Sequence, residues 1–358
     1  MRLDKLDGDL QVLVINRYPP FTSPHRYASD IKNAVGNSGQ ILNLVFDSGG
    51  WNMPHEGPDF KVDKSIYRGL SRLFGNTIAP ALTQYATKSL GTGEHTIVHY
   101  ANQFSGIINR LPGRRVISVM DSPYDPTINV LTTKIYIKRL YSRLSKERNI
   151  ITQTECLAND LRAFGFESDI QVIPLPYSSS FRPVGTDKTS LRKKLGLPLD
   201  KVLVLSVSTD DPRKNLPAIA RTMDLLGDNY RLVRVGKPLG KSLNFSGIDD
   251  NTLNGLYNAC DLLIFPSLYE GFGLPIVEAF AAGLPVVTSR IPTIEEVSGN
   301  AAVLVDAKSV SDIADGVRKA VSESEVLRRR GLKRAEDFTF EKFRKKLLAY
   351  YKKLGLMV

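Results

Sequence analysis

The fold of this chain is constrained most by a regular alternation of apolar strand patterns and amphipathic helix patterns, which runs twice along its 358 residues. In the first half, each apolar run is short and ends in polar, glycine or proline residues, as is typical of strands buried in a parallel sheet. The predicted strands of this half are Leu10–Asn16, Gln40–Phe46, Thr96–Tyr100, Arg115–Met120, Asn149–Thr154 and Asp169–Ile173. The alternation predicts an α/β domain with a doubly wound sheet.

A Pro- and Ser-rich segment, Pro174–Pro183, has neither a helical nor a strand period and is interpreted as a linker. Beyond it the alternation starts again. The predicted strands are Lys201–Val207, Tyr230–Val235, Asp261–Phe265 and Pro285–Thr288, and the predicted helices are Leu216–Leu226, Asn251–Ala259, Leu274–Ala282 and Val310–Val321. We therefore expect two Rossmann-like doubly wound domains, residues 1–178 and 184–335, that face each other across a deep cleft.

The charge balance favours anionic partners, because 48 Lys and Arg against 37 Asp and Glu give a formal net charge of +11. Aromatic residues do not alternate with the basic ones as in a nucleic-acid module, so no nucleic-acid partner is expected. Two cysteines are too few for a disulfide scaffold or a four-cysteine zinc site. The N-terminus lacks the apolar core of a signal peptide, and no apolar run approaches the roughly 20 residues of a membrane span, so a cytoplasmic protein, soluble or peripheral to the membrane, is expected.

One segment carries most of the chemistry. Glu270, Gly271 and Gly273 follow a predicted buried strand, and Pro275 stands near the start of the next predicted helix. The unpaired N–H groups at such a helix start attract an anion, whereas Glu270 and Glu278 can accept hydrogen bonds from sugar hydroxyls. The combination fits a nucleotide sugar. Taken alone, the two glutamates could equally be a solvated loop acid and an acid of the first helical turns.

The continuous stretch Glu270-Gly-Phe-Gly-Leu-Pro-Ile-Val-Glu278 closely resembles the signature of glycosyltransferase family 4, whose members are retaining enzymes of the GT-B fold. The resemblance implies that Glu278 binds the ribose hydroxyls and that Glu270 contacts the transferred sugar. It also implies that the backbone nearby lies close to sugar and phosphate. The donor-binding residues of this segment are then Gly271, Phe272, Gly273 and Leu274, with Glu278.

A second match is Ser206–Asn215, which lies between a predicted strand and a predicted helix. It places Ser208 in the donor-binding loop and ends in Arg213 and Lys214. Fixed cations there would stabilise the charge that grows on a departing diphosphate, and the family resemblance implies the same task. Without the glutamate pair, an Arg-Lys sequence in such a position would more often be a solvated turn.

The first domain departs from the family pattern. Arg17–Pro24 lacks the Gly-Gly loop of many members, and Met120-Asp121 replaces a His-Asp pair. Asp121 follows a predicted strand, and His99 ends another, so both are candidate catalytic residues at the carboxyl edge of the sheet. Each could equally be structural. Asp7-Gly-Asp9 spells the triplet of metal-dependent transferases, but it precedes the first strand, so no metal is expected.

Two predicted helices are strongly basic. In Thr133–Arg148, an apolar stripe recurs at helical spacing, and residues 131–150 hold six Lys or Arg and one Glu, a local +5. Either the stripe packs on the sheet and the charges are solvated, or the helix lies on an anionic membrane. The stripe consists of Ile137, Leu140, Tyr141 and Leu144. The C-terminal helix, residues 338–355, is also basic, and the family resemblance implies that it packs back on the first domain.

We therefore expect a hexosyltransferase that moves a sugar from a UDP- or GDP-sugar to a hydroxyl acceptor, either a glycan or a lipid-linked molecule at a membrane surface. No cofactor or metal is expected beyond the nucleotide sugar itself. With no clear nucleophile in the sequence, the leaving phosphate could accept the acceptor proton, which gives a front-face retaining mechanism. The alternatives are another GT-B reaction, such as nucleotide-sugar epimerisation, and a non-catalytic nucleotide-sugar-binding subunit.

Overall fold

The computed structural model describes residues 11–16, 23–46, 59–62, 95–103 and 113–356. The chain forms two compact units. The first consists of Met1–Tyr124, Val130–Pro174 and Phe343–Val358, and the second of Asp125–Asn129 and Leu175–Lys342. Within the described ranges, no helix combines the length and the apolar character that crossing a membrane requires.

The first unit contains a seven-stranded parallel sheet in the order β3-β2-β1-β4-β5-β6-β7. The described strands are β1 (Val12–Asn16), β2 (Gly39–Phe46), β3 (Asp59–Val62), β4 (Ile97–Tyr100), β5 (Arg114–Ser118), β6 (Asn149–Thr152) and β7 (Asp169–Val172). The described helices before the second unit are α1 (Ser23–Val35), α2 (Leu131–Leu144) and α3 (Glu155–Phe164). Strand β6 ends two residues earlier than predicted, because the Thr154 side chain accepts from the Leu157 N–H and begins α3.

The second unit contains a six-stranded parallel sheet in the order β10-β9-β8-β11-β12-β13. Its strands are β8 (Val202–Val207), β9 (Tyr230–Val235), β10 (Leu243–Phe245), β11 (Leu262–Phe265), β12 (Val286–Ser289) and β13 (Val303–Val305). Its helices are α4 (Lys188–Lys194), α5 (Leu216–Leu226), α6 (Asp250–Ala259), α7 (Leu274–Ala282), α8 (Pro292–Ser298), α9 (Val310–Ser322) and α10 (Ser324–Ala335).

The second sheet is covered on both faces. Leu263 and Phe265 of β11 belong to the apolar cluster that includes Phe280 of α7. Leu262 and Ile264, which alternate with them, belong to the cluster that includes residues of α5 and α9. Because successive side chains of a strand point to opposite faces, helices lie on both sides of the sheet, and the doubly wound prediction is confirmed.

The Pro- and Ser-rich segment packs against the second unit instead of forming a free linker. Phe181 is buried in the same cluster as Phe280, and its ring meets the Tyr257 ring edge-on at 5.6 Å. The Tyr177 N–H donates to the Phe338 carbonyl at 3.2 Å. The composition of the segment did not indicate this packing, because the buried Phe181 and the partly buried Tyr177 stand among residues typical of turns.

The last helix, α11 (Phe340–Lys353), begins at the end of the second unit, and from Phe343 onwards it belongs to the first. Phe343 packs edge-on against Tyr27 of α1 at 6.0 Å, and Arg344 Nε donates to the Ala34 carbonyl at 3.0 Å. Lys353 pairs with Asp169 at 2.8 Å. The apolar and polar contacts together fix α11 to the first unit.

Candidate active site

The loop between β11 and α7 places the two glutamates in the second unit. Gly273, the residue before α7, has a φ of 90°, and a Cβ there would lie 2.8 Å from Ile294 Cδ1. The positive φ favours glycine at this position, and the Ile294 side chain would have to shift to admit a Cβ. Pro275 follows in the first turn of α7, where its missing N–H breaks no helical bond. Glu270 in the loop is 9% exposed, and Glu278 in α7 is 4% exposed.

Glu278 is held by a neighbour on α6. The buried Tyr257 hydroxyl lies 3.0 Å from Glu278 Oε2 and donates to it. Burial of a carboxylate is costly unless hydrogen-bond donors compensate it. The contact therefore stabilises the glutamate and fixes its direction. The motif did not reveal Tyr257, because the tyrosine lies 21 residues before Glu278 in the chain.

Glu270 meets the lysine that was predicted from a different part of the sequence. Lys214 Nζ donates to Glu270 Oε1 at 2.6 Å, and both side chains are mostly buried. The ammonium also lies 5.3 Å from the centre of the Phe265 ring. A partly buried ion pair of this kind fixes both groups before any ligand binds, and it unites the two predicted motifs in one place.

Arg213, the residue before Lys214, has acidic neighbours. Its Nε and Nη2 donate to Asp211 Oδ2 at 3.0 and 2.8 Å, and its Nη1 lies 3.7 Å from Asp125 Oδ2. The Arg213 side chain lowers the pKa of the Asp211 carboxyl by hydrogen bonding. The guanidinium is thus oriented by carboxylates, in agreement with a positioned cation rather than a freely rotating one.

Asn215 locks the turn that carries both cations. It has a φ of 55° and is the one non-glycine residue with a positive φ in the described part of the chain. Its Nδ2 donates to the carbonyls of Pro266 at 3.1 Å and Ala307 at 2.7 Å. The Leu268 N–H donates to the Arg213 carbonyl at 2.7 Å. Asn tolerates the left-handed region better than other side chains, which was the available signal, but sequence reasoning missed it.

Arg234 on β9 organises the loop that contains Ser208. The side chain is fully buried, and desolvation lowers its pKa. Its guanidinium donates to the carbonyls of Ser206 at 3.2 Å, Val235 at 2.7 Å and Ser208 at 2.6 Å. A Cβ on Gly236 would collide with the Ser208 carbonyl and with this guanidinium. Sequence reasoning missed Arg234, because an arginine within a strand gives no sign of burial.

The remaining residues that the sequence predicts as donor-binding take distinct positions. Gly271 is partly buried, and Phe272 is buried with its ring edge-on to Phe338 at 5.6 Å. Leu274 is the first residue of α7, and the Ser208 N–H donates to the Val235 carbonyl at 3.2 Å. The loop is thus anchored by one aromatic side chain, while its glycines permit a close backbone approach.

Asp121 lies in the first unit, after β5. Its carboxylate accepts from Gln103 Nε2 at 3.0 Å, and the same amide accepts from the Met120 N–H at 3.0 Å. Asp121 is partly exposed. The carboxylate therefore stands at the carboxyl edge of the first sheet in a fixed direction, where it is accessible to a ligand.

The structure corrects the interpretation of His99 as a site residue. The imidazole is fully buried; Nδ1 lies 2.5 Å from the Tyr351 hydroxyl and Nε2 lies 2.7 Å from Ser118 Oγ. Desolvation lowers its pKa to about 3. His99 is a neutral core residue that ties α11 to β4 and β5, because both ring nitrogens are engaged inside the first unit.

No metal site is evident among the residues that the structure describes, where no group of three or more His, Cys, Asp or Glu side chains could hold an ion. Asp7 and Asp9 lie outside the described residues, as does most of the Arg17–Pro24 stretch. Cys156 and Cys260 do not form a disulfide with each other.

Two parallel sheets of Rossmann type define the class as α/β proteins of two units, and the second unit bears carboxylates and cations beside a glycine-flanked helix start. The comparisons with known proteins are more specific. Residues 187–337 match the family model of glycosyl transferases group 1. The chain is 28% identical over 243 residues to O-antigen chain mannosyltransferase B of Escherichia coli. The aligned region covers 61% of this chain and 64% of that protein.

A second relative, the serotype-specific mannosyltransferase WbdA of Escherichia coli, is 33% identical over 156 residues, or 37% of this chain and 19% of that protein. The chain thus spans less than two thirds of the length of either relative. The structure of HepE from Anabaena in complex with UDP-glucose covers 96% of this chain and 99% of its own, with a TM-score of 0.77 at 14% identity. The likeness to HepE confirms the predicted fold class, an α/β chain with two Rossmann-like parallel sheets of the GT-B type.

Proposed function

We propose that the protein is a retaining hexosyltransferase that moves mannose from a nucleotide diphosphate sugar to a hydroxyl acceptor. The observation that carries the proposal is the contact of Lys214 with Glu270 at 2.6 Å, in the unit where Tyr257 holds Glu278 beside the start of α7. Anion-binding and hydroxyl-binding groups thus stand together. The choice of mannose rests on the two relatives, both of which are mannosyltransferases.

In this proposal, the donor binds in three parts. The diphosphate binds near the start of α7, where the unpaired N–H groups and the helix dipole attract negative charge. Glu278 accepts hydrogen bonds from the ribose hydroxyls, and Glu270 accepts them from the hexose. The backbone of Gly271, Phe272, Gly273 and Leu274 then lies against sugar and phosphate. A nucleotide-sugar donor also agrees with the UDP-glucose bound to HepE.

The cations act on the leaving group. As the acceptor oxygen bonds to the anomeric carbon, the bond from that carbon to the phosphate oxygen breaks, and the nucleoside diphosphate departs. The acceptor proton passes to that phosphate oxygen on the same face of the sugar, so that the configuration is retained. Arg213 and Lys214 stabilise the growing diphosphate charge, which is the kind of contact that is strongest in the transition state. Fixed cations would make a metal unnecessary, so we expect full activity in EDTA.

The acceptor side is assigned to the first unit, where Asp121 is the candidate for contact with the acceptor hydroxyl. A glycan or lipid-linked acceptor presented at the cytoplasmic face of a membrane agrees with the excess positive charge of the chain, +11. No nucleic-acid partner is proposed.

A donor screen tests the proposal. Thermal unfolding is measured with GDP-mannose, UDP-glucose and other nucleotide sugars, since a ligand at about 100 times its Kd stabilises the native state by about 2.7 kcal/mol. We expect one donor to raise the melting temperature of the wild type. Glu278→Gln should lose that shift, whereas Glu325→Gln, a change at an exposed glutamate on α10 of the same unit, should keep it.

Product analysis then tests the reaction itself. Transfer of labelled mannose to an acceptor with retained configuration is the expected result. Release of an isomerised nucleotide sugar would show an epimerase instead. Failure of every donor to shift the melting temperature, or an equal loss of the shift in Glu278→Gln and Glu325→Gln, would contradict the assignment of the donor site.

A further inference from the structure

Helix α2 has an apolar face that the structure leaves exposed. The apolar stripe predicted for this helix packs inside the first unit, where Leu140, Tyr141 and Leu144 are buried. On the opposite side, Leu131 is 70% exposed and Ile135 is 44% exposed. These two side chains lie one helical turn apart and share a face. They are neighboured by two more exposed apolar residues, Val130 and Tyr136.

The same face carries positive charge without acidic neighbours on the helix. Counted in steps of 100° per residue, Lys138 and Arg139 project on the side of Leu131 and Ile135, one turn further along. Residues 126–146 contain five Lys or Arg and no Asp or Glu. The next acid, Glu147, pairs with Arg115 at 3.2 Å. The exposed basic residues of α2 are Lys134, Lys138, Arg139 and Arg143.

We propose that this outer face of α2, formed by Leu131, Ile135, Tyr136, Lys138 and Arg139, docks on an anionic phospholipid bilayer. Aliphatic and tyrosine side chains would enter the boundary between headgroups and acyl chains, and the long basic side chains would reach anionic headgroups. The helix would lie parallel to the surface, because α2 is a 14-residue helix whose other side is buried in the first unit.

Charge and shape favour a bilayer over a folded partner. The face lies on a single helix, and its exposed cations Lys134, Lys138 and Arg139 run along successive turns, which suits a diffuse anionic surface. Exposed apolar residues elsewhere in the described chain lack this arrangement. Leu199 and Leu225, at 50% and 52% exposure, lie in the second unit far apart in sequence from each other and from α2. Among the described exposed large apolar residues, Val130, Leu131, Ile135 and Tyr136 form a group on and next to one helix, whereas Tyr124, Leu199 and Leu225 stand singly.

The inference rests on the proposed function in one respect: a protein docked on a bilayer would be placed to react with the hydroxyl of a lipid-linked acceptor. Vesicle binding itself needs no donor, acceptor or transfer. A failure of docking and a failure of the proposed reaction are therefore separate results: the first is measured with vesicles and the second with nucleotide sugars.

The test is co-sedimentation of the full chain with vesicles of phosphatidylcholine alone or with about one third phosphatidylglycerol. We expect binding to the anionic vesicles only, and release at about 1 M salt, where the Debye length falls to about 3 Å. Reversing two charges in Lys138→Glu/Arg139→Glu should weaken binding at least about 30-fold, at ~1 kcal/mol for each cation at the surface. Leu131→Ser/Ile135→Ser should weaken it about tenfold through lost apolar insertion.

Leu199→Ser/Leu225→Ser is the matched control, since it removes two equally exposed leucines from the other unit. It should bind vesicles like the wild type, and all variants should keep the donor-induced thermal shift and the far-UV circular dichroism of the wild type. No binding of the wild type at low salt would overturn the proposal, as would equal weakening in the control pair. Sedimentation velocity that shows a dimer dissolved by Leu131→Ser/Ile135→Ser would overturn it in favour of a second copy of the chain.

Discussion

Glu278 and His99 are both buried polar side chains, one in each unit, and sequence reasoning proposed both as site residues. Glu278 stands in a continuous nine-residue motif whose glycines and proline shape a helix start, and a tyrosine of the adjacent helix α6 orients it. His99 has no such surroundings in the sequence. Its partner Tyr351 lies 252 residues away, and together they fasten the last helix to the first sheet.

The difference between Glu278 and His99 shows that a continuous motif predicts a functional site better than an isolated polar residue does. A carboxylate in a motif whose other residues shape the backbone, as Gly273 with its φ of 90° does at the start of α7, indicates a site more strongly than an isolated polar residue does. A single histidine at a strand end can be either a site residue or a structural core residue. Only the topology that brings α11 onto β4 decides between the two roles. If the comparison holds, changes around Glu278 affect the reaction, and changes at His99 affect folding.

The largest effect is expected for Lys214→Ala. Removal of one preorganised cation from a developing charge typically lowers kcat by about 10²- to 10³-fold, or about 3–4 kcal/mol of transition-state stabilisation. Initial rates of sugar transfer with the purified variant measure it. Lys319→Ala, an exposed lysine on α9, is the control and should retain wild-type rates.

Because Lys214→Ala also removes the hydrogen-bond donor of Glu270, the melting temperature of the variant is measured alongside, and Lys214→Arg provides a folded variant that keeps the charge. A Lys214→Ala protein that folds and retains more than about a tenth of the wild-type kcat would break the assignment of this cation to the leaving group.

The next effect concerns stability. His99→Phe removes the contact of the imidazole with the buried Tyr351 hydroxyl and one of the two contacts of the Ser118 hydroxyl, which also lies 2.9 Å from the Tyr27 hydroxyl. We expect a loss of about 1–3 kcal/mol in the free energy of unfolding. Urea unfolding followed by circular dichroism measures it. His95→Phe, at an exposed position four residues earlier, should change stability far less. The kcat of His99→Phe under conditions where it is folded should match the wild type, and a kcat loss of about 100-fold in the folded variant would return His99 to the site.

The pH dependence sharpens the same point. The pKa of His99 is lowered by burial from 6.5 to about 3, so between these values the unfolded chain binds a proton that the folded chain does not. The contribution of His99 is thus fully present above pH 6.5 and is lost as the pH falls towards 3. Unfolding free energies at about pH 7 and pH 5 should differ more in the wild type than in His99→Phe. Equal differences would contradict the burial of a neutral imidazole.

An effect on donor binding, smaller than the loss of kcat expected for Lys214→Ala, is expected for Tyr257→Phe. The change removes one hydrogen bond to the Glu278 carboxylate and keeps the aromatic packing against Phe181. Since a hydrogen bond to a charged group contributes about 1.5–3 kcal/mol at most, we expect the KM for the donor to rise about 10- to 100-fold with kcat nearly unchanged. Tyr136→Phe, at an exposed tyrosine, is the control. A fall in kcat with unchanged KM would instead place Tyr257 in the chemical step.

Much of the architecture could be predicted because its strands are buried on both faces and its helices have one apolar side. The edge strands β3, β10 and β13 escaped prediction, whereas the equally short interior strand β11 was predicted from its continuous apolar run. At the site, each of the two motifs could be recognised in the sequence. The contact between them could not be predicted, because the Lys214–Glu270 pair joins residues 56 positions apart. Tyr257, Asn215 and Arg234 act through carbonyls and carboxylates that only the folded chain brings near.

The smallest predicted effect separates backbone strain from hydrogen bonding at Asn215. Asn215→Gly keeps the left-handed conformation without strain but loses the bonds to the Pro266 and Ala307 carbonyls. Asn215→Ala loses the same bonds and also places a Cβ in the left-handed region, which costs roughly 1–2 kcal/mol. We therefore expect Asn215→Ala to be less stable than Asn215→Gly by about 1 kcal/mol in urea unfolding, and to raise the donor KM more, because the strained turn carries Arg213 and Lys214. An alanine variant as stable as the glycine variant would mean that the turn can relax, and that the bonds of Asn215, rather than its conformation, position the two cations.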